Sequence, residues 1–166
     1  DYPFLFIVGA GRSGNTLLRR LLMERADIYI PPESYVMPEQ VKSSFAVQGL
    51  PWQNRVDLFV SQLDYSEGFG SFDLDSLRGF ARHAKEWSAK DRYLDTLCFE
   101  LYKYIGSEQG YCSSWFGDKT PINTLHLPTL QLAYPKAKYL FIKRDGGDVI
   151  ASYLASGLIK DVSLAA

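Results

Sequence analysis

Cysteine and histidine are scarce in this chain: Cys98, Cys112, His83 and His126 are the full set in 166 residues. Two cysteines this far apart do not make a zinc site, and neither histidine has a partner at metal-ligand spacing. Charge of one sign is also missing. Lys and Arg number 18 against 19 Asp and Glu, a formal net charge of −1. No global basic field therefore gathers nucleic acid, and any anion site must be local. No apolar run approaches the roughly 20 residues that a membrane helix needs. The chain opens almost directly into a buried-looking strand, which argues against a signal peptide. Internal repeats and low-complexity segments are missing too.

The composition that remains is 46% hydrophobic and 22% charged, which excludes a disordered tail, a collagen-like chain and a coiled coil. At this length one domain over 1–166 is expected, with about 70% of the unfolded surface buried on folding. Phe4-Leu5-Phe6-Ile7-Val8 is a continuous apolar run followed by glycine, the pattern of a strand buried on both faces of a parallel sheet. Leu17, Leu18, Leu21 and Leu22 predict one helix face, with Arg19 and Arg20 on its solvated side. Ile28-Tyr29-Ile30 predicts a short second strand, stopped by Pro31-Pro32.

The middle of the chain predicts helices. Val56, Phe59, Val60 and Leu63 fit one. Leu77, Phe80, Ala81 and Ala84 fit another, with Asp73 or Asp75 as N-cap. Leu94, Leu97, Cys98, Leu101, Tyr102 and Ile105 fit a third, ended by Gly106 or Gly110, with Cys98 a buried core thiol. The segment 66–71 reads as a loop, and Trp87 and Trp115 as buried. Trp115-Phe116-Gly117 is a weaker strand and Tyr139-Leu140-Phe141-Ile142 a strong one, leading into a helix capped by Asp145 with Asp148 in its first turn. This alternation predicts an α/β domain with a parallel sheet, too few in strands to look finished.

The loop Val8-Gly9-Ala10-Gly11-Arg12-Ser13-Gly14-Asn15-Thr16 joins the first strand to its helix. Glycines bring backbone N–H groups close to a ligand, and the helix adds its positive end, so the loop suits phosphate or sulfate. Gly9, Gly11 and Gly14 satisfy the dinucleotide fingerprint, with Glu33 near the ribose-binding position. Gly9 to Thr16 also fits the nucleoside-triphosphate loop, except that Asn15 replaces the lysine that reaches the β- and γ-phosphates. A conventional NTPase is therefore disfavoured.

Taken whole, Arg-Ser-Gly-x-Thr-Leu-Leu opening a helix resembles the 5′-phosphosulfate loop of sulfotransferases that use 3′-phosphoadenosine-5′-phosphosulfate (PAPS). Asp118-Lys119-Thr120-Pro121 resembles that family's DKTP element. The strand at 139–142 followed by Arg144-Asp145-Gly146-Gly147-Asp148 and a helix carrying Ser152 resembles its 3′-phosphate segment. The nearest branch is the one containing tyrosylprotein and glycan sulfotransferases and bacterial relatives, whose base is a glutamate about twenty residues beyond the loop arginine. Glu33 stands twenty-one after Arg12. Departures from the family pattern are Asn15, Gly146-Gly147 and Asn123.

The resemblance implies a three-layer, P-loop-NTPase-like fold and transfer of a sulfuryl group from PAPS to an acceptor hydroxyl, leaving adenosine 3′,5′-bisphosphate, with no metal. It makes Glu33 the base and Lys119 the stabiliser of charge on the leaving oxygen. Backbone N–H groups from Arg12 to Leu17, through Ser13, Gly14, Asn15 and Thr16, hold the phosphosulfate, with the Arg12, Ser13 and Thr16 side chains helping. Arg144 and Ser152 bind the 3′-phosphate. Each has a plain alternative: a solvated glutamate, a turn lysine, a helix-capping serine, an arginine paired with Asp145 or Asp148, a serine in a small-residue face. The acceptor stays open among glycan, protein tyrosine, lipid and small alcohol. The rival readings are a dinucleotide oxidoreductase and a nucleotide-binding domain without catalysis. Such enzymes normally continue for roughly another hundred residues, so a missing C-terminal part is expected.

Overall fold

The computed structural model describes residues 2–160. In chain order its elements are β1 (Phe4–Val8), α1 (Asn15–Arg25), β2 (Ile28–Tyr29), α2 (Met37–Ala46), α3 (Trp52–Asp64), α4 (Arg78–Lys85), α5 (Leu94–Glu108), β3 (Trp115–Asp118), α6 (Leu127–Ala133), β4 (Lys138–Phe141) and α7 (Gly146–Ala155). The four strands form one parallel sheet in the order β2-β3-β1-β4. The continuous apolar run is β1, which lies inside the sheet between β3 and β4, and both of its faces are covered. This is an α/β fold with helices on a parallel sheet, in keeping with the P-loop-like architecture expected from the sequence.

Strand alternation divides the core into two layers. Phe4, Phe6 and Val8 point with Tyr29 and Phe116 into a large cluster filled by Met37, Val41, Val56, Phe59, Leu63, Phe80, Leu101, Tyr102 and Ile105. Ile7, Ile28 and Ile30 point the other way, against Leu18, Leu22 and Met23 of the α1 segment. The expected apolar face of α1 is corrected here: Leu17 and Leu21 are 63% and 46% exposed. Successive residues are turned by about 100° on a helix, so 17/21 and 18/22 form two adjacent rows, and only the second row meets the sheet. Arg19 is also corrected from a solvated position. It is half-buried, and its Nε donates to the Ile30 carbonyl at 2.6 Å, pinning α1 to the end of β2.

Other differences are local. Neither Asp73 nor Asp75 caps α4; the Leu77 N–H donates instead to Asp64 Oδ1 at 2.6 Å, from the end of α3. Overlapping the expected loop at 66–71, Phe69–Phe72 coil into a 3-10 turn that buries both phenylalanines. Helix α5 runs through Gly106 and stops just before Gly110. Trp115 is exposed at the amino end of β3, and Trp87 is half-buried against Trp52 and Phe80. Cys98 is buried in the large cluster, as expected.

Candidate functional site

Parallel strands send the segments that follow them to one edge of the sheet, where clefts form. Here the loop after β1 supplies residues 9–14, the segment after β2 supplies Glu33, the end of β3 leads into Lys119, and β4 leads into Arg144. Gly9 has φ +145, and a Cβ there would run into the Ile142 carbonyl. Gly14, at φ +99, turns the chain into α1. The Gly9 N–H donates to Thr124 Oγ1 at 2.7 Å, which anchors the start of the loop. The first N–H groups of a helix have no intrahelical partner. None of the backbone N–H groups from Arg12 to Leu17 donates to another described residue.

These segments surround a cleft of about 550 Å³ lined by Gly11, Arg12, Gly14, Asn15, Thr16, Glu33, Tyr35, Pro121, Arg144, Ser152, Tyr153 and Leu158. That volume falls in the range of small-molecule sites. The two expected catalytic residues meet: Lys119 Nζ donates to Glu33 Oε1, and lies 3.4 Å from Thr16 Oγ1. Lys119 is only 5% exposed, so its ammonium is aimed rather than solvated. Arg144 and Ser152, expected at the 3′-phosphate, line the same cleft and are each bonded to Arg12 rather than to one another. Arg12 Nε donates to Ser152 Oγ at 3.1 Å, and Arg144 donates from a terminal nitrogen to the Arg12 carbonyl at 3.1 Å. Arg144 keeps an exposed contact with Asp148 at 3.5 Å, while Asp145 caps α7 by accepting from the Gly147 and Asp148 N–H groups.

One side chain expected to help hold the phosphosulfate takes a different position: Ser13 is buried and is not among the residues that line the cleft, while Leu17, expected only through its N–H, has its side chain exposed. The side chain of Asn15 is buried, its amide donating to the Ala10 carbonyl at 3.1 Å, so it braces the loop from within. Among the described residues, no group of three or more His, Cys, Asp or Glu side chains is placed to hold a metal ion. No described helix is long and apolar enough to cross a membrane.

Sequence reasoning missed the support behind Glu33 and Lys119. Asp118 is fully buried. Its Oδ1 accepts from the Thr120 N–H at 2.9 Å and Asn123 Nδ2 at 2.7 Å, and its Oδ2 accepts from Ser34 Oγ at 3.1 Å and Tyr102 Oη at 2.5 Å. The Ser34 N–H donates in turn to Thr120 Oγ1 at 3.1 Å. One carboxylate thus fixes the neighbours of both expected catalytic residues. Burial raises the Asp118 pKa above the ordinary carboxylate value, against the pull of its donors. The network accommodates a proton on Oδ2, since the hydroxyls of Ser34 and Tyr102 can turn from donating to accepting. Tyr35 was missed as well: its hydroxyl donates to Glu33 Oε2. Its place two residues after the candidate base was the only signal available.

A family model described as the sulfotransferase family matches residues 3–163. No curated protein and no solved structure matches the chain.

Proposed function

The chain belongs to the sulfotransferase family, and from that premise we propose that it moves a sulfuryl group from PAPS to an acceptor hydroxyl by in-line displacement. The observation that carries this reading is the convergence of the buried Lys119 on Glu33 and Thr16 at the N-terminus of α1, the latter two lining one cleft with Arg12, Arg144 and Ser152. The match over nearly the whole chain supports one PAPS-binding domain.

The residues present fit a doubly anionic nucleotide. Unpaired N–H groups from Arg12 to Leu17 and the helix end favour the phosphosulfate. Arg144 and Ser152 supply charge-assisted and neutral donors for the 3′-phosphate. Lys119 offsets charge that builds on the bridging oxygen as the sulfur departs, a stabilisation strengthened by its burial. Glu33 accepts the acceptor's proton as the new oxygen–sulfur bond forms. The lysine next to it keeps the carboxylate turned into the cleft. The dinucleotide alternative gives Lys119 and Arg144 no task. The acceptor is a hydroxyl compound, whether glycan, protein tyrosine, lipid or small alcohol.

The test is calorimetric. Adenosine 3′,5′-bisphosphate binds the wild-type chain, and Arg144→Ala weakens binding by roughly 10- to 150-fold, the worth of a hydrogen bond to a charged group at 1.5–3 kcal/mol. Binding of adenosine 5′-phosphate, which lacks the second phosphate, changes little. Equal losses for both nucleotides would remove Arg144 from the 3′-phosphate.

A further inference from the structure

Tyr35 has no part in the transfer as read above, yet it lines the cleft and is bonded to the candidate base. Its hydroxyl donates to Glu33 Oε2 while Lys119 takes Glu33 Oε1, so phenol, carboxylate and ammonium form one chain directed at Thr16 and the anion loop. The side chain is 61% exposed and lines the same cleft as Gly11, Arg12 and Thr16. Its backbone stands at φ +55, a left-handed conformation that costs a non-glycine residue energy. The preceding residue holds it there: Ser34 is buried and bonded through its N–H to Thr120 and through its hydroxyl to Asp118. The hydrogen bond to Glu33 pushes the Tyr35 phenol up to about 12, so at neutral pH it keeps its proton and presents an O–H to the carboxylate. A hydroxyl acceptor must present the same group to the same atom before transfer.

We propose that the Tyr35 phenol holds the acceptor hydroxyl's place on Glu33 and, with no other acceptor present, is itself sulfated there. The inference rests on the donor reading above. In the step, the phenol oxygen bonds to sulfur while the bond from sulfur to the bridging phosphate oxygen breaks. Glu33 takes the phenol proton and adenosine 3′,5′-bisphosphate leaves, so one PAPS is consumed per tyrosine sulfate formed. An external acceptor must first displace the phenol from Glu33, and a sulfated Tyr35 would no longer donate to it.

The experiment incubates the whole chain with PAPS alone and follows intact mass, with peptide mapping of the modified residue. Thermal unfolding with adenosine 3′,5′-bisphosphate is run in parallel on every variant. Wild type gains the mass of one sulfo group, mapped to Tyr35, at a first-order rate independent of protein concentration. Tyr35→Phe gains none, and Glu33→Gln gains none while the bisphosphate still raises its unfolding midpoint. Bisphosphate stabilisation of the wild type without incorporation at Tyr35 overturns the proposal and leaves the donor reading standing. Incorporation that persists in Glu33→Gln, or whose rate constant rises with protein concentration, overturns it too, because the phenol is then not reacting in place on its own base. Failure of the bisphosphate to stabilise any form overturns the donor reading and this proposal together.

Discussion

Glu33→Gln lowers sulfuryl transfer by about 100- to 10,000-fold, the usual contribution of a positioned base, while adenosine 3′,5′-bisphosphate binds as tightly as before. Glutamine keeps the shape of the side chain and an oxygen for Lys119 Nζ, so the cleft and its paired lysine survive. What disappears is an acceptor for the hydroxyl proton. Lys119→Ala lowers the rate by about 100- to 1,000-fold, as loss of one transition-state donor does. The double variant loses much less than the product of the two, because residues that act on one step as a unit are non-additive. The check is bisphosphate release from PAPS with phenolic and sugar acceptors run in parallel, together with bisphosphate binding to each variant. Independent, multiplicative losses would mean that the two groups serve different steps.

The largest effect on stability is expected at Asp118. Asp118→Ala leaves the Thr120 N–H and Asn123 Nδ2 without an acceptor in a fully buried site. Orphaned buried donors cost about 1–3 kcal/mol each. A combined loss of about 3 kcal/mol or more lowers the midpoint of a domain this size by about 10 °C. Asp118→Asn behaves otherwise: its oxygen keeps both N–H donors, and its NH2 donates to the hydroxyls of Ser34 and Tyr102. It costs about 1 kcal/mol or less. The two forms also differ in pH dependence. Burial raises the folded pKa of Asp118 above its unfolded value, so the folded state binds the proton more tightly. The stability this contributes is fully present below about pH 3.9 and is lost as pH rises through the folded pKa. The advantage of wild type over Asp118→Asn therefore shrinks from acid towards neutral pH. Chemical denaturation of both proteins across that range measures it. A difference that grows with pH would mean that Asp118 is held ionised.

How much of this was legible in the sequence depended on the range of each contact. The run 4–8, the glycine loop and the helix after it form one local unit, and their order alone placed an anion site at the end of β1. Lys119, Arg144 and Ser152 came from the resemblance of Asp118-Lys119-Thr120-Pro121 and of the segment after β4 to the sulfotransferase family; the parallel sheet is what brings those segments to one edge. Helices α2 and α6 were not read from the sequence; each is short and carries a proline, Pro38 or Pro128, in its first turn, where proline's missing N–H costs nothing. Periodicity could not say which leucine row of α1 meets the sheet. The Asp118 network joins Ser34 and Tyr102 to the end of β3 across large sequence separations. Tyr102 itself matched an apolar helix stripe, and nothing local disclosed that its hydroxyl faces a buried carboxylate. Tyr35 depends on a left-handed backbone that no tyrosine advertises.

On the proposed function, the cleft holds a nucleotide bearing phosphates at both the 3′ and 5′ positions. Thermal unfolding with adenosine 3′,5′-bisphosphate, NADH and Mg-ATP, each added separately, tests it most directly. At a hundred times its dissociation constant a ligand stabilises by about 2.7 kcal/mol, which raises the midpoint of a domain this size by roughly 5–10 °C. That rise is expected with the bisphosphate, unchanged by magnesium, and none with NADH. A rise with NADH alone, or none with the bisphosphate, would contradict it.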